Sequence, residues 1–259
     1  MIFAPPDLHI SQSPDAQVVA LGENSWRLEI APDPRPAYRL AQLDDHTQLP
    51  RSDFHWKPPL TLSLQARVSS QALPGTWGFG LWNDPFSFLL GGDRQHLRIP
   101  TLPDAAWFFH ASPQNYLSFR DDLPACGFLA ATFSSQKVPP ALLALASPAL
   151  GLSLLPQTAQ LVRWVLRRQV RQAAVSIDLP VTEWHAYTLE WQADVVRFSR
   201  DGIELLRTNV VPHPPLSLVI WIDNQYAALP PAGRLRYGTL PNPESAWMEV
   251  RQIELLDNK

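Results

Sequence analysis

Apolar and polar residues alternate with a period of two along much of the chain, the pattern of a sheet strand with one buried and one solvated face. It runs through "SWRLEI" (25–30), "LTLSLQARV" (60–68), "SLVIWI" (217–222) and "AWMEVRQIELL" (246–256), and each predicts a strand. "WHAYTLEWQADVVRFSRDGIELLRT" (184–208) predicts a hairpin of two runs joined at Arg200, Asp201 and Gly202, because Asp-Gly readily takes the positive φ angles of a tight turn. The late strand at 246–256 is expected to close a sheet begun early in the chain. "GTWGFGLWND" and "AAWFFHAS" (105–112) read as two more strands, and the proline-rich residues 31–59 read as surface loop.

One region departs from this pattern. Residues 138–162 carry no charge, and Pro148, Gly151 and Pro156 interrupt the run. Its cleanest apolar portion falls short of the roughly 20 residues of a membrane-spanning helix, so no transmembrane segment is expected. Next, "TAQLVRWVLRRQVRQAA" places Val162, Val165, Leu166, Gln169, Val170 and Ala173 at helical spacing, with Arg163, Arg167, Arg168 and Arg171 largely on other faces. Residues 139–173 are therefore predicted to form a helical hairpin inserted between strands. It either packs on the sandwich edge with a solvated arginine face or touches a protein or an acidic membrane surface.

Composition fits an all-β chain. Hydrophobic residues make up 46% of the 259 and charged ones 17%, ample for a core, and one domain over 1–259 is the simplest arrangement. Twenty-seven prolines suit short strands joined by loops. A formal net charge of −3 offers no broad basic surface, so nucleic acid is not an expected partner. Cys126 is the single cysteine, which excludes an intrachain disulfide and a cysteine zinc site. The first residues lack the layout of a secretory signal, and a cytoplasmic location is expected. The seven histidines include no pair at metal-ligand spacing, and no phosphate-binding loop or nucleophile elbow occurs. No cofactor is expected, although scattered aspartates leave a structural calcium ion open. Asp44-Asp45 and Asp121-Asp122 read as solvated turns.

Four stretches, in their order along the chain, resemble the concanavalin A-like jelly roll and its glycoside hydrolase family 16 branch. They are "LTLSLQARVSSQALPGTWGFGLW", "EWHAYTLEWQADVVRFSRDGIELLRT", "PPLSLVIWIDNQYA" and "WMEVRQIELL". The resemblance implies an all-β jelly-roll sandwich of two antiparallel sheets with a concave sugar cleft. It also implies a Glu-x-Asp-x-x-Glu strand, in which two carboxylates about 5–5.5 Å apart perform retaining hydrolysis. This chain departs there: between Trp82 and Ser135 the acids are Asp84, Asp93, Asp104, Asp121 and Asp122, with no glutamate. The expected function is accordingly a lectin-like carbohydrate-binding protein. A glycoside hydrolase with relocated acids and an interaction protein using the 139–173 insert are the alternatives.

Strand parity nominates the ligand site. Gly78, Gly80, Trp82 and Asp84 share a face of their strand, as Ser217, Val219, Trp221 and Asp223 do of theirs, and both sets are expected on the concave sheet. Each set joins small residues that leave space, a flat indole for a sugar's C–H face, and a carboxylate for its hydroxyls. Trp107, Asn224 and Tyr226 complete the expected binding set. Asp84, Asp223 and His110 are the candidates for acid–base work. Trp77, Phe79, Leu81, Leu218, Ile220 and Ile222 are expected in the core, with His185 structural.

Overall fold

A computed structural model of the chain describes residues 2–3, 8–85, 98, 101–123, 125–136 and 156–257. In chain order the elements are β1 (Ile2–Phe3), β2 (His9–Gln12), β3 (Ala16–Gly22), β4 (Ser25–Ile30), β5 (Leu40–Asp44), β6 (Leu60–Val68), β7 (Thr76–Trp82), β8 (Ala105–Ala111) and β9 (Gly127–Ser135). Helix α1 (Pro156–Gln169) follows, then β10 (Val170–Ser176), β11 (His185–Trp191), β12 (Val196–Arg200), β13 (Ile203–Thr208), β14 (Ser217–Asp223), β15 (Gln225–Ala228), β16 (Arg236–Thr239) and β17 (Ala246–Asp257). Two large antiparallel sheets pack face to face as a jelly-roll sandwich. One has the order β13-β12-β11-β6-β17-β4-β3 with β1 added on β17, and the other β10-β9-β8-β7-β14-β5-β2. The late strand β17 does close a sheet begun early, since it lies between β4 and β6.

The core between the sheets follows from alternation. In β6 every second residue, from Leu60 to Val68, is buried inward. Facing it, Trp77, Phe79 and Leu81 of β7 and Leu218, Ile220 and Ile222 of β14 enter the same cluster, together with Tyr187, Leu189 and Phe198.

The seven-stranded sheet does not stop there. Every residue of β8, and all but the first of β7 and of β9, is buried, as in strands covered on both faces. Its outer face carries a second apolar cluster built on Trp82, Trp107, Phe109, Phe133 and Val219. Leu117, Phe119 and Leu123 of the 112–125 loop and Leu166 of α1 pack onto it.

Two glycines permit this packing. A Cβ on Gly80 would lie 2.5 Å from the Trp107 Cα, and one on Gly78 would lie 2.9 Å from the Phe109 Cα. The space that small residues were expected to leave for a ligand is taken by the neighbouring strand and its aromatic side chains.

Three sequence expectations need correction. The 184–208 hairpin is a three-stranded meander, because residues 192–195 form an extra turn in which the Gln192 N–H donates to Val195 O; the expected Asp201-Gly202 turn, at positive φ, joins β12 to β13. The proline-rich segment 31–59 contains β5, whose Ala41 and Leu43 are fully buried. Of the predicted helical hairpin 139–173, residues 156–169 are helical, whereas 170–173 begin β10, which pairs with β9 along its whole length and satisfies its backbone there. Residues 139–155 lie outside the described residues. Among the described residues no helix is long and apolar enough to cross a membrane.

Gly80→Ala is expected to destabilise the fold by about 3 kcal/mol, since backbone atoms must move to admit the methyl group. Chemical denaturation measures it, and a change below about 0.5 kcal/mol would contradict the close packing.

Candidate functional site

Strand register sets the outer face of the seven-stranded sheet in rows. One row runs Ser11, Gln42, Trp221, Gly78, Phe109. The next runs Asp44, Val219, Gly80, Trp107, and a third Ser217, Trp82, Ala105. The face is thus polar toward β2 and β5 and aromatic toward β8 and β9.

Parity places the three predicted tryptophans together. Trp82 and Trp221 are nearly parallel, 6° apart with ring centres separated by 6.4 Å. Trp107 lies 6.1 Å from Trp82 and 5.5 Å from Trp221. They differ in access: Trp82 and Trp107 are 7% and 9% exposed, whereas Trp221 is half-buried. An open floor paved by all three indoles is therefore not what the fold builds. Leu117, Phe119 and Leu123 and Leu166 of α1 pack over the Trp107 side, and half-buried Trp221 lies in register beside half-buried Gln42.

Trp221 is held by a relay of hydrogen bonds. Its Nε1–H donates to Thr76 Oγ1 at 2.9 Å, and the Thr76 hydroxyl donates to Asp223 Oδ1 at 2.9 Å. The same oxygen accepts the backbone N–H groups of Thr76 and Gln225 at 3.1 and 3.2 Å. Burial pushes the Asp223 carboxyl up to about 7, against the opposing pull of these hydrogen bonds. Asp223 thus positions the indole rather than standing free in a cleft.

Asp84 is also engaged. Its Oδ2 accepts the Arg98 Nη1–H at 2.6 Å, and the same guanidinium donates to His46 O and Leu49 O. Burial raises its pKa despite the nearby positive charges. Asn224 is fully buried and structural: it accepts from the Arg39 N–H and donates to Ala37 O and Leu240 O. Tyr226 lies on the separate β15–β16 hairpin, its ring against Gly238.

His110 points away from this face. It is stacked at 5.5 Å on Trp77 in the layer between the sheets, and burial lowers its pKa to about 4. Its place follows from alternation, because Trp107 and Phe109 point outward. The acid–base trio Asp84, Asp223 and His110 is accordingly not brought together.

Asp44 and Asp45 are buried, which corrects their reading as solvated turn residues. Asp44 accepts from Thr47, the His46 N–H and Gln42 Nε2. Asp45 accepts the Trp56 indole N–H at 2.5 Å and the Leu218 N–H at 2.9 Å, and burial raises its carboxyl to about 7. Asp121 and Asp122 are exposed as expected, paired with arginines. Sequence reasoning missed Ser11, Gln42 and Thr76; the alternation in "LAQLD" was the available signal for Gln42. Among the described residues no three His, Cys, Asp or Glu side chains gather at metal-binding range. Depressions of about 480 and 490 Å³ lie beside α1, away from Trp82 and Trp221.

No family model matches the sequence, and no curated protein matches it. Solved structures similar to this chain include a glycoside hydrolase family 16 endo-glucanase from Bacteroides ovatus, 9% identical, with a TM-score of 0.49 over 93% of this chain and 84% of that one. Crh5 transglycosylase is 11% identical, with a TM-score of 0.48 over 98% and 80%. A botulinum neurotoxin serotype D/C binding domain is 7% identical, with a TM-score of 0.44 over 96% of this chain and 43% of that one. At such identities the likeness gives no residue correspondence.

Asp223 provides a pH signature. Folded, it keeps its proton up to about 7, whereas unfolded it ionises near 3.9. Between those values the unfolded state releases a proton that the folded state retains. Stability then falls with rising pH by at most about 1.4 kcal/mol per unit from this group. Asp223→Asn is expected to lose that contribution, so its stability relative to wild type should improve from about pH 5 to about pH 7 in urea unfolding. A constant difference would contradict the buried neutral carboxyl.

Proposed function

We propose that the chain is a non-hydrolytic carbohydrate-binding protein whose ligand sits on the outer face of the seven-stranded sheet, against Trp221. The observation that carries this reading is the arrangement of a half-buried indole with its N–H fixed by Thr76 and Asp223, in register with Gln42 and Ser11. A sugar presents both an apolar C–H face and a rim of hydroxyls. A flat ring beside an amide and a hydroxyl matches that combination.

The state of the carboxylates supports binding over cutting. Retaining hydrolysis needs one carboxylate free to attack and a second free to give up a proton. On this face Asp44, Asp84 and Asp223 each accept hydrogen bonds from fixed protein donors. None is presented to solvent: all three residues are at most 5% exposed.

A glycan array followed by calorimetry tests the reading. Trp221→Ala is expected to weaken the best glycan at least about tenfold, roughly 1.4 kcal/mol, with Trp221→Phe intermediate and Asp223→Asn still able to bind. Absence of any glycan ligand would overturn the proposal. So would release of reducing ends that Asp223→Asn abolishes, which would favour the hydrolase.

A further inference from the structure

We propose that the solvent-facing side of α1 is a peripheral docking surface for anionic phospholipid bilayers. Leu161, Trp164 and Val165 are 59%, 51% and 43% exposed. Their i, i+3, i+4 spacing makes them one contiguous ridge. Other exposed large apolar residues, such as Ile10, Leu21 and Ile203, sit on separate strands.

The ridge is bordered by positive charge. The helix sequence PQTAQLVRWVLRRQ has no acidic residue. The Arg168 guanidinium lies 3.6 Å from the centre of the Trp164 ring, a pairing suited to the boundary between acyl chains and headgroups, where an indole is half in apolar surroundings and a guanidinium stays wet. Asp121 is taken up by Arg163 and Arg167, while Arg168 and Arg171 are exposed. Beside Trp164 and Arg168 a depression of about 490 Å³ is lined also by Gln160, Arg163, Arg167, Pro231 and Asp121, so that three guanidinium groups there face one carboxylate.

The ridge is also rigidly mounted. Arg163 on the inner side of α1 is 3% exposed and donates to Ser118 O, Leu229 O, Arg120 O and Asp121 Oδ1. Docking therefore does not have to order the helix first. Charge complementarity selects the occupant. A second copy placed on the ridge by two-fold symmetry would set arginines against arginines, whereas an anionic bilayer offers acyl chains for the ridge and phosphates for its border. At 14 residues the helix lies on the surface rather than spanning the membrane.

The test is co-sedimentation of the full chain with phosphatidylcholine vesicles, with and without about 30% phosphatidylserine. Association is expected only with phosphatidylserine, falling as salt rises. Arg168→Gln and Arg171→Gln should each weaken it about fivefold. Leu161→Ser with Val165→Ser should abolish it while thermal unfolding is unchanged, because both side chains are exposed. Equal association with neutral vesicles, no association with either, or insensitivity to these substitutions would overturn the proposal. Dimerisation lost in the Leu161/Val165 variant, without vesicle association, would instead make the ridge a contact between copies. Glycan titrations of the same variants should match wild type, which separates a failure here from a failure of the sugar-binding reading.

Discussion

The structure depends on a sheet that is apolar on both sides. An ordinary sandwich buries one face of each sheet and wets the other. Here β7, β8 and β9 expose almost nothing. Gly78 and Gly80 are the local cause, since only a residue without a Cβ lets Trp107 and Phe109 settle across β7. With aromatic rings on the outer face as well, that surface must be covered, because each exposed aromatic side chain forfeits a few kcal/mol of burial.

The cover is built from the loop after β8 and α1, and Arg163 ties the two together through the Ser118 and Arg120 carbonyls and Asp121, with Leu229 O as a further acceptor. Gln172 of β10 completes the closure by accepting the Phe119 N–H and the Ser118 hydroxyl. These contacts fall on the β8–β10 half; on the β5–β14 half Asp44, Val219 and Ser217 are fully buried as well, and Gln42 and Trp221 are half-buried. The row of half-buried Ser11, Gln42 and Trp221 is what positions the proposed sugar site. The same seating of α1 turns Leu161, Trp164 and Val165 outward.

Much of this was legible in the sequence. Alternation gave β4, β6, β14 and β17 nearly residue for residue, and parity nominated Trp82 and Trp221, which the fold brings together with Trp107 on one face. What parity does not carry is how deeply that face is covered, because the cover comes from residues far away in the chain. The acidic residues misled for a related reason. Asp44 and Asp45 look like a solvated pair until Trp56, Thr47 and the Leu218 backbone supply donors, and the Leu218 donor is distant in sequence. Asp84 likewise depends on Arg98, whose approach no local pattern announces. His110 was nominated for acid–base work, although the alternation that turns Trp107 and Phe109 outward sends it into the core.

Titration of isotope-labelled protein with an array-selected oligosaccharide, followed through the indole N–H resonances of its ten tryptophans, tests the central claim most directly. The Trp221 resonance should shift with the largest amplitude, with smaller changes at Trp82 and Trp107, while Trp77 and Trp191 in the inter-sheet core stay fixed. Shifts confined to Trp184 and Trp247, outside this tryptophan cluster, would contradict it.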